Sequence, residues 1–226
     1  MTSSLRASAA HVFVSDVNHP TLDDADQHHL SRVLRLRDKE IVSVCDGFGQ
    51  WRTCLYTKEE LILDSDIVSA PEPAHQLTVA IVPVKGDRTE SAVEKLVEAG
   101  IHHIVILSAT DHGVVRWDAR RASHHIERLE RITRSSAMQS RRLWLPTLTG
   151  PVAFADVVAR PGAVVAEPGG RAVHNDDRIM IIGPEGGFSA AEVAMASATV
   201  SLGDNILRAD TAAIVGATLM VAHGAR

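Results

Sequence analysis

The sequence predicts an α/β protein in two parts, a small β-rich module followed by a larger domain built on a parallel sheet. Three observations carry this. Short β-prone segments broken by turn residues fill roughly the first seventy positions, apolar runs without alternation then take turns with amphipathic helical stretches, and Pro71-Glu72-Pro73 stands between. Short apolar runs that do not alternate suit strands buried on both faces, as in a parallel sheet covered by helices. Closely spaced prolines discourage helix and ladder alike, so the boundary is drawn there, giving domains 1–72 and 73–226.

In the first part His11–Val14 and Ile41–Cys45 read as strands. Asp46-Gly47-Phe48-Gly49 is a turn signal, with Gln50–Tyr56 as its hairpin partner and Leu61–Val68 as a further strand. Asp26–Leu36 reads as a short helix with Leu30, Val33 and Leu34 on one face and Arg32 and Arg35 off it. Together these resemble a small β-barrel module. In the second part Leu77–Val84 is a buried strand and Thr89–Ala99 an amphipathic helix closed by Gly100. Ile104–Leu107 is the next strand, and an Arg-rich helix runs from Ala119 to Ser140. Val164–Ala166, Ile179–Ile182 and Val200–Leu202 are further strands, and Ala209–Ala222 is a final apolar helix.

Apolar residues make up 45% and charged residues 23% of the chain, which excludes a disordered chain, a fibre and a disulfide-stapled miniprotein. The longest apolar run, within the last helix, is interrupted by Gly216 and Thr218 and falls well short of the roughly 20 residues a membrane span needs. No signal-peptide core opens the chain, and Cys45 and Cys54 match no metal or redox spacing, so the cytoplasm is the default compartment. Three adjacent histidine pairs, such as His28-His29, point their members in different directions, and no metal site is expected.

The net charge of −5 argues against a nucleic-acid partner, but its distribution argues for one. Between Arg116 and Arg142 eight arginines face three acids, and Arg32, Arg35, Arg37 and Lys39 form a second basic stretch. Arginine presents a planar fork of donors suited to phosphate. A charge run can equally be a solvated helix face, with Arg131 and Arg134 paired to Glu127 and Glu130 at helical spacing.

Ligands of parallel sheets bind beyond the carboxyl ends of the strands, and two such ends are unusual here. In Ile181-Ile182-Gly183-Pro184-Glu185-Gly186-Gly187-Phe188-Ser189 a glycine-rich turn leaves a buried strand, and Ser189 with Glu192 forms a capping box. A tight turn alone would also use these residues. The other end is Leu202-Gly203-Asp204-Asn205-Ile206-Leu207-Arg208-Ala209-Asp210-Thr211-Ala212. Arg208 stands at a helix start, where the dipole disfavours it; either it has another task, or it simply pairs with Asp210 or Glu185.

These two segments resemble the signature of the SPOUT superfamily of RNA methyltransferases, and more narrowly the family that methylates N3 of a uridine in 16S ribosomal RNA. The resemblance extends to His28-His29-Leu30 with Val33-Leu34-Arg35 and Asp46-Gly47 in a PUA-like front domain, to Lys85-Gly86-Asp87-Arg88, Lys95, Glu98 and Gly100, and to Gln139-Ser140 with Arg142 and Pro146. Asp210 stands where the family usually has Glu.

The resemblance implies a C-terminal trefoil-knot domain, a PUA-like RNA-binding β-barrel domain in front of it, and a homodimer acting on ribosomal RNA, with no membrane and no metal. It implies S-adenosylmethionine held by Leu107 and Ser108, by Ile182, Gly183, Pro184, Gly186 and Gly187, and by Leu202, Gly203, Ile206, Leu207 and Thr211. Methyl transfer to uracil N3 requires loss of a proton, so a cation near the carbonyl oxygens would help. Arg208 is the expected cation, with Asp210 or Glu185 orienting it. Arg32, Arg35, Arg131, Arg134, Gln139 and Arg142 are the expected RNA contacts. The alternatives are a non-catalytic RNA-binding protein of the same fold, or a SPOUT enzyme acting on transfer RNA ribose.

Overall fold

The computed structural model describes residues 3–58, 60–117 and 119–224. The chain forms two compact units. The first is Met1–Pro73 with Ala137–Leu145, and the second is Ala74–Ser136 with Pro146–Arg226.

The first unit runs α1 (Ser3–Ala7), β1 (Ala10–Phe13), α2 (Asp24–His28), β2 (Ile41–Cys45), β3 (Gln50–Tyr56), β4 (Leu61–Leu63) and β5 (Val68–Ser69). Its sheet has the order β1-β2-β3-β4, with β5 also on β3. The β2–β3 hairpin closes as expected from Asp46-Gly47-Phe48-Gly49. Both glycines have positive φ, and Asp46 Oδ1 accepts from the Phe48 and Gln50 amides at 2.7 and 3.0 Å. The core gathers Val12, Leu30, Val42, Val44, Cys54 and Tyr56, with Met138 packed against it. Leu61–Val68 is two short strands rather than one.

The helix expected over 26–36 differs in a way that matters. After α2 the chain widens into a π turn, His29–Val33, with the Leu34 amide bonded to His29 O at 2.9 Å. A π turn advances each residue by a smaller angle than an α turn. Leu30 stays buried, while Val33 and Leu34 swing out to 61% and 44% exposure instead of sharing its face.

Residues 137–145 were expected to belong with the second part, but they pack in the first unit. The Gly49 amide bonds Leu143 O at 3.0 Å, and Arg141 donates to the Ser8 hydroxyl and carbonyl at 2.7 and 2.6 Å. A segment this short carries no periodicity of its own to announce the excursion.

The second unit runs β6 (Thr78–Ile81), α3 (Arg88–Ala99), β7 (His103–Leu107), α4 (Ala119–Gln139, its end in the first unit), β8 (Thr147–Val152), α5 (Phe154–Val158), β9 (Ala163–Arg171), β10 (Ile179–Ile182), α6 (Ala190–Ala194), β11 (Thr199–Val200) and α7 (Ala209–Gly224). The strands form a six-stranded parallel sheet in the order β11-β9-β10-β6-β7-β8. Strands β6 and β10 are buried along their whole length, as non-alternating apolar runs require. One sheet face, with Ala80, Val105, Val165 and Ile181, packs on Phe154, Val157 and Phe188. The other face receives α7. A Cβ on Gly216 would lie 3.2 Å from Met180 Cγ, so the missing side chain lets the helix come close. After the edge strand β11 the chain returns to mid-sheet, where α7 packs on β10, β6 and α3.

Candidate active site

The turn around Glu185 and the segment before α7 close one cavity of about 300 Å³. Ile182, Gly183, Pro184, Glu185, Gly186 and Gly187 line it from the end of β10. Leu202, Gly203, Asn205, Ile206 and Leu207 line it from the end of β11, and Ala209 and Ala212 from α7. The two strand ends singled out in the sequence therefore meet at one cavity.

Local chemistry explains each wall. Ser189 caps α6 through its Oγ, which accepts from the Glu192 amide at 3.2 Å, while Glu192 Oε2 accepts from the Ser189 amide at 2.8 Å. That reciprocal pair fixes where the glycine turn ends. Gly183 is held close to Phe188, since a Cβ there would lie 3.0 Å from the ring. Gly187 sits at φ +70° and Gly203 at φ +136°, conformations that side chains resist. Ile206 is 82% exposed at this cavity, a large apolar side chain placed for a ligand or a partner to cover.

The third wall differs from expectation. Leu107 is a core residue packed among Val105, Phe154 and Phe188, and the Ser108 amide is bonded to Val152 O at 2.7 Å. Neither lines the cavity. Strand order gives the reason: β9 and β6 flank β10, and β7 lies one strand further out. The wall is instead Ala166, Glu167 and Pro168 of β9. The overlooked signal is Glu167-Pro168-Gly169-Gly170, an acid, proline and two glycines following the buried first half of β9, close in kind to Pro184-Glu185-Gly186-Gly187. Thr211 is exposed and stands outside the lining.

The charged candidates separate. Glu185 is paired with Arg88, not with Arg208, at 2.7 Å between Oε1 and Nη2, because α3 begins beyond β6, the strand next to β10. Arg208 is exposed, and among the described residues its guanidinium makes no hydrogen bond or ion pair. Asp210 turns inward to a small gap lined by Ile81, Val84 and Thr89, where its buried Oδ1 has no hydrogen-bond partner. A buried acceptor without a donor is costly, which marks this carboxylate for a role other than packing.

Of the expected RNA contacts, Arg32, Arg35 and Gln139 are exposed on the first unit and Arg131 is exposed on the second; Arg134 is half-buried. Arg142 is different. Burial pushes the pKa of its guanidinium down to about 10, and its carbonyl oxygen accepts from His11 Nε2 at 3.0 Å. Among the described residues no group of three or more His, Cys, Asp or Glu converges as a metal site, and no helix is long and apolar enough to cross a membrane.

The fold and this cavity define the class. The RNA methyltransferase domain family matches residues 70–221 and the RNA methyltransferase PUA domain family matches 22–63, so the protein is an RNA methyltransferase by descent. The ribosomal RNA small subunit methyltransferase E of Synechocystis is 31% identical, over 86% of this chain and 70% of its own length. A probable rRNA-methyltransferase from Porphyromonas gingivalis, 27% identical, superposes with a TM-score of 0.78 over 96% of this chain and 98% of its own. A Legionella pneumophila methyltransferase solved with its cofactor SAM bound shares the fold, at 24% identity and a TM-score of 0.81 over 94% of this chain and 96% of that one. The chain belongs to the ribosomal RNA small subunit methyltransferase E family.

Proposed function

We propose that this protein methylates N3 of a uridine in small-subunit ribosomal RNA, using S-adenosylmethionine, and does so in the cytoplasm. The observation that carries the proposal is the single cavity closed by the two glycine-bearing strand ends and the N-terminus of α7. Its residues fit the cofactor. Leu202, Ile206 and Leu207 offer apolar surface to a flat adenine, and the glycines leave backbone groups open to its edges. Glu167 supplies an acceptor for hydroxyl or ammonium donors.

When bound, the cofactor supplies a methyl group on a sulfonium centre. The chain's part is to hold the uracil in line with that methyl and to favour loss of the N3 proton. Arg208, exposed beside the cavity and without a protein partner among the described residues, stands ready for the charge that develops on O2 or O4. Asp210 anchors the start of α7 with a carboxylate that suits the positive end of that helix. Glu185, held by Arg88, keeps the glycine turn in place. Arg32, Arg35, Arg131, Arg134 and Gln139 are assigned to the RNA; Arg142, being desolvated, is not.

The homodimer rests on α7. The helix is apolar around its whole circumference, and Ile214, Val215, Leu219 and Val221 stay only half-buried in the single chain. The test of the function is to map methylated nucleosides in 16S ribosomal RNA with and without the protein, beside a titration with S-adenosylmethionine. Cofactor binding with a new N3-methyluridine is the expected result. Binding of RNA without cofactor would favour the non-catalytic alternative, and methylation of transfer RNA ribose the other.

A further inference from the structure

The second unit holds another cavity, of about 310 Å³, that shares no lining residue with the first. Lys85, Gly86 and Glu90 line it from the turn after β6 and the start of α3; Trp117, His125 and Leu129 line it from the opposite side. The Trp117 and His125 rings are stacked, with centroids 4.4 Å apart and planes inclined by 15°. A flat aromatic pair beside open space is the platform on which unpaired nucleobases stack, whatever their sequence. Glu90 adds discrimination. Its Oε2 accepts from Arg128 Nη2 at 2.7 Å, which fixes the carboxylate, and among the described residues Oε1 has no hydrogen bond. Exposed Arg116, Arg120 and Arg131 on the same stretch of chain give the surroundings the charge a phosphate backbone requires.

The reacting base is not the occupant. Its N3 must come within about 3–3.5 Å of the transferred methyl, which places it at the first cavity. Resting on the reading of this chain as an RNA methyltransferase, we propose that the Trp117–His125 cavity receives a second, unmodified and unpaired nucleobase of the RNA substrate. The base stacks on the ring pair and its edge N–H donates to Glu90. Guanine, with N1–H and N2–H side by side, suits one carboxylate best. Gripping two bases of one strand sets the register of the base to be methylated.

The experiment uses the full chain and a short unpaired RNA carrying a single 2-aminopurine, with guanosine and uridine monophosphates as competitors. Trp117→Ala is expected to weaken RNA binding by about fivefold or more, with Trp117→Phe recovering most of it, while affinity for S-adenosylmethionine stays unchanged. Glu90→Gln is expected to erase the preference for guanosine over uridine monophosphate. RNA affinity unchanged in Trp117→Ala, or equal competition by both nucleotides against the unsubstituted protein, would overturn the proposal. Should Trp117→Ala fail to fold, His125→Ala is read the same way. A protein that binds RNA through Trp117 yet takes up no S-adenosylmethionine would sink the methyltransferase reading and leave the base site standing.

Discussion

Arg88 Nη2 lies 2.7 Å from Glu185 Oε1, an ion pair that ties the start of α3 to the glycine turn of the cavity at the end of β10. Both side chains are about one-third exposed, so solvent screens the pair and its worth to global stability is at most about 1 kcal/mol. Its local consequence is larger, because Glu185 lines the cavity. Arg88→Ala is expected to leave the melting temperature nearly unchanged and to weaken S-adenosylmethionine binding severalfold, read by calorimetric titration. A lowered melting temperature with unchanged affinity would show that the pair serves the fold instead.

The glycines of that turn make a paired prediction. In Gly183→Ala the new methyl meets the Phe188 ring at 3.0 Å, and Phe188 cannot retreat freely because it packs on Phe154 with ring centroids 4.8 Å apart. The expected cost is about 1–3 kcal/mol, with loss of cofactor binding. Gly187→Ala meets no atom within 4 Å but must hold φ +70°, so about 1 kcal/mol is expected there. Denaturant unfolding of the two variants checks the order.

These residues also show what could be read without coordinates. The turn around Glu185, the segment before α7 and the buried strands β6, β7 and β10 were legible because glycine clusters, a capping box and unbroken apolar runs are local signals. That Leu107 stands apart from the cavity was not legible, because which strand ends line it depends on strand order, which no local pattern encodes. Strand β8 was hidden by Pro146, Gly150 and Pro151, residues tolerated there because β8 is the sheet's edge. Val33 and Leu34 were misplaced because a π turn leaves no trace in a pattern read at α-helical spacing. The partner of Glu185 was missed because Arg88 is 97 residues away in sequence.

Acid should weaken the first unit before it titrates ordinary carboxylates. His11 is buried, with Nδ1 2.8 Å from Ser43 Oγ and Nε2 3.0 Å from Arg142 O. Burial, aided by the nearby Arg141 charge and opposed by the Arg142 carbonyl, lowers its pKa from 6.5 to about 4. In the window between those values the unfolded chain binds a proton that the folded chain refuses. Stability is therefore full above pH 6.5 and falls as pH drops towards 4, by about 3 kcal/mol for this group. Thermal melts between pH 7 and pH 4.5 should show the decline, and His11→Gln should flatten it; a variant with the same slope would remove His11 as its source.

Binding led by phosphate contacts releases counterions, so RNA affinity should fall steeply with salt. Replacing Arg32 or Arg131 by alanine is expected to weaken binding across RNA sequences and to reduce the salt slope by about one. Replacing Arg142 is expected to destabilise the protein instead, since its guanidinium is already desolvated. Fluorescence titrations at several salt concentrations, beside melts of the same variants, separate the two behaviours.

Arg208 and Asp210 stand two residues apart at the start of α7, yet one is exposed and the other turns its Oδ1 into a buried gap. They should therefore fail in different ways. An exposed cation with no protein partner among the described residues contributes little to folding, so Arg208→Ala should keep the melting temperature and the affinity for S-adenosylmethionine. If it meets the charge on the uracil carbonyls, turnover should fall by about a hundredfold or more, with Arg208→Lys restoring part of it. Asp210→Asn removes a charge that the helix terminus favours but offers the gap a donor as well as an acceptor, so its effect on stability should be small and of either sign. Single-turnover methylation beside cofactor titration gives both readouts, and an Arg208→Ala enzyme with unimpaired turnover would end that assignment.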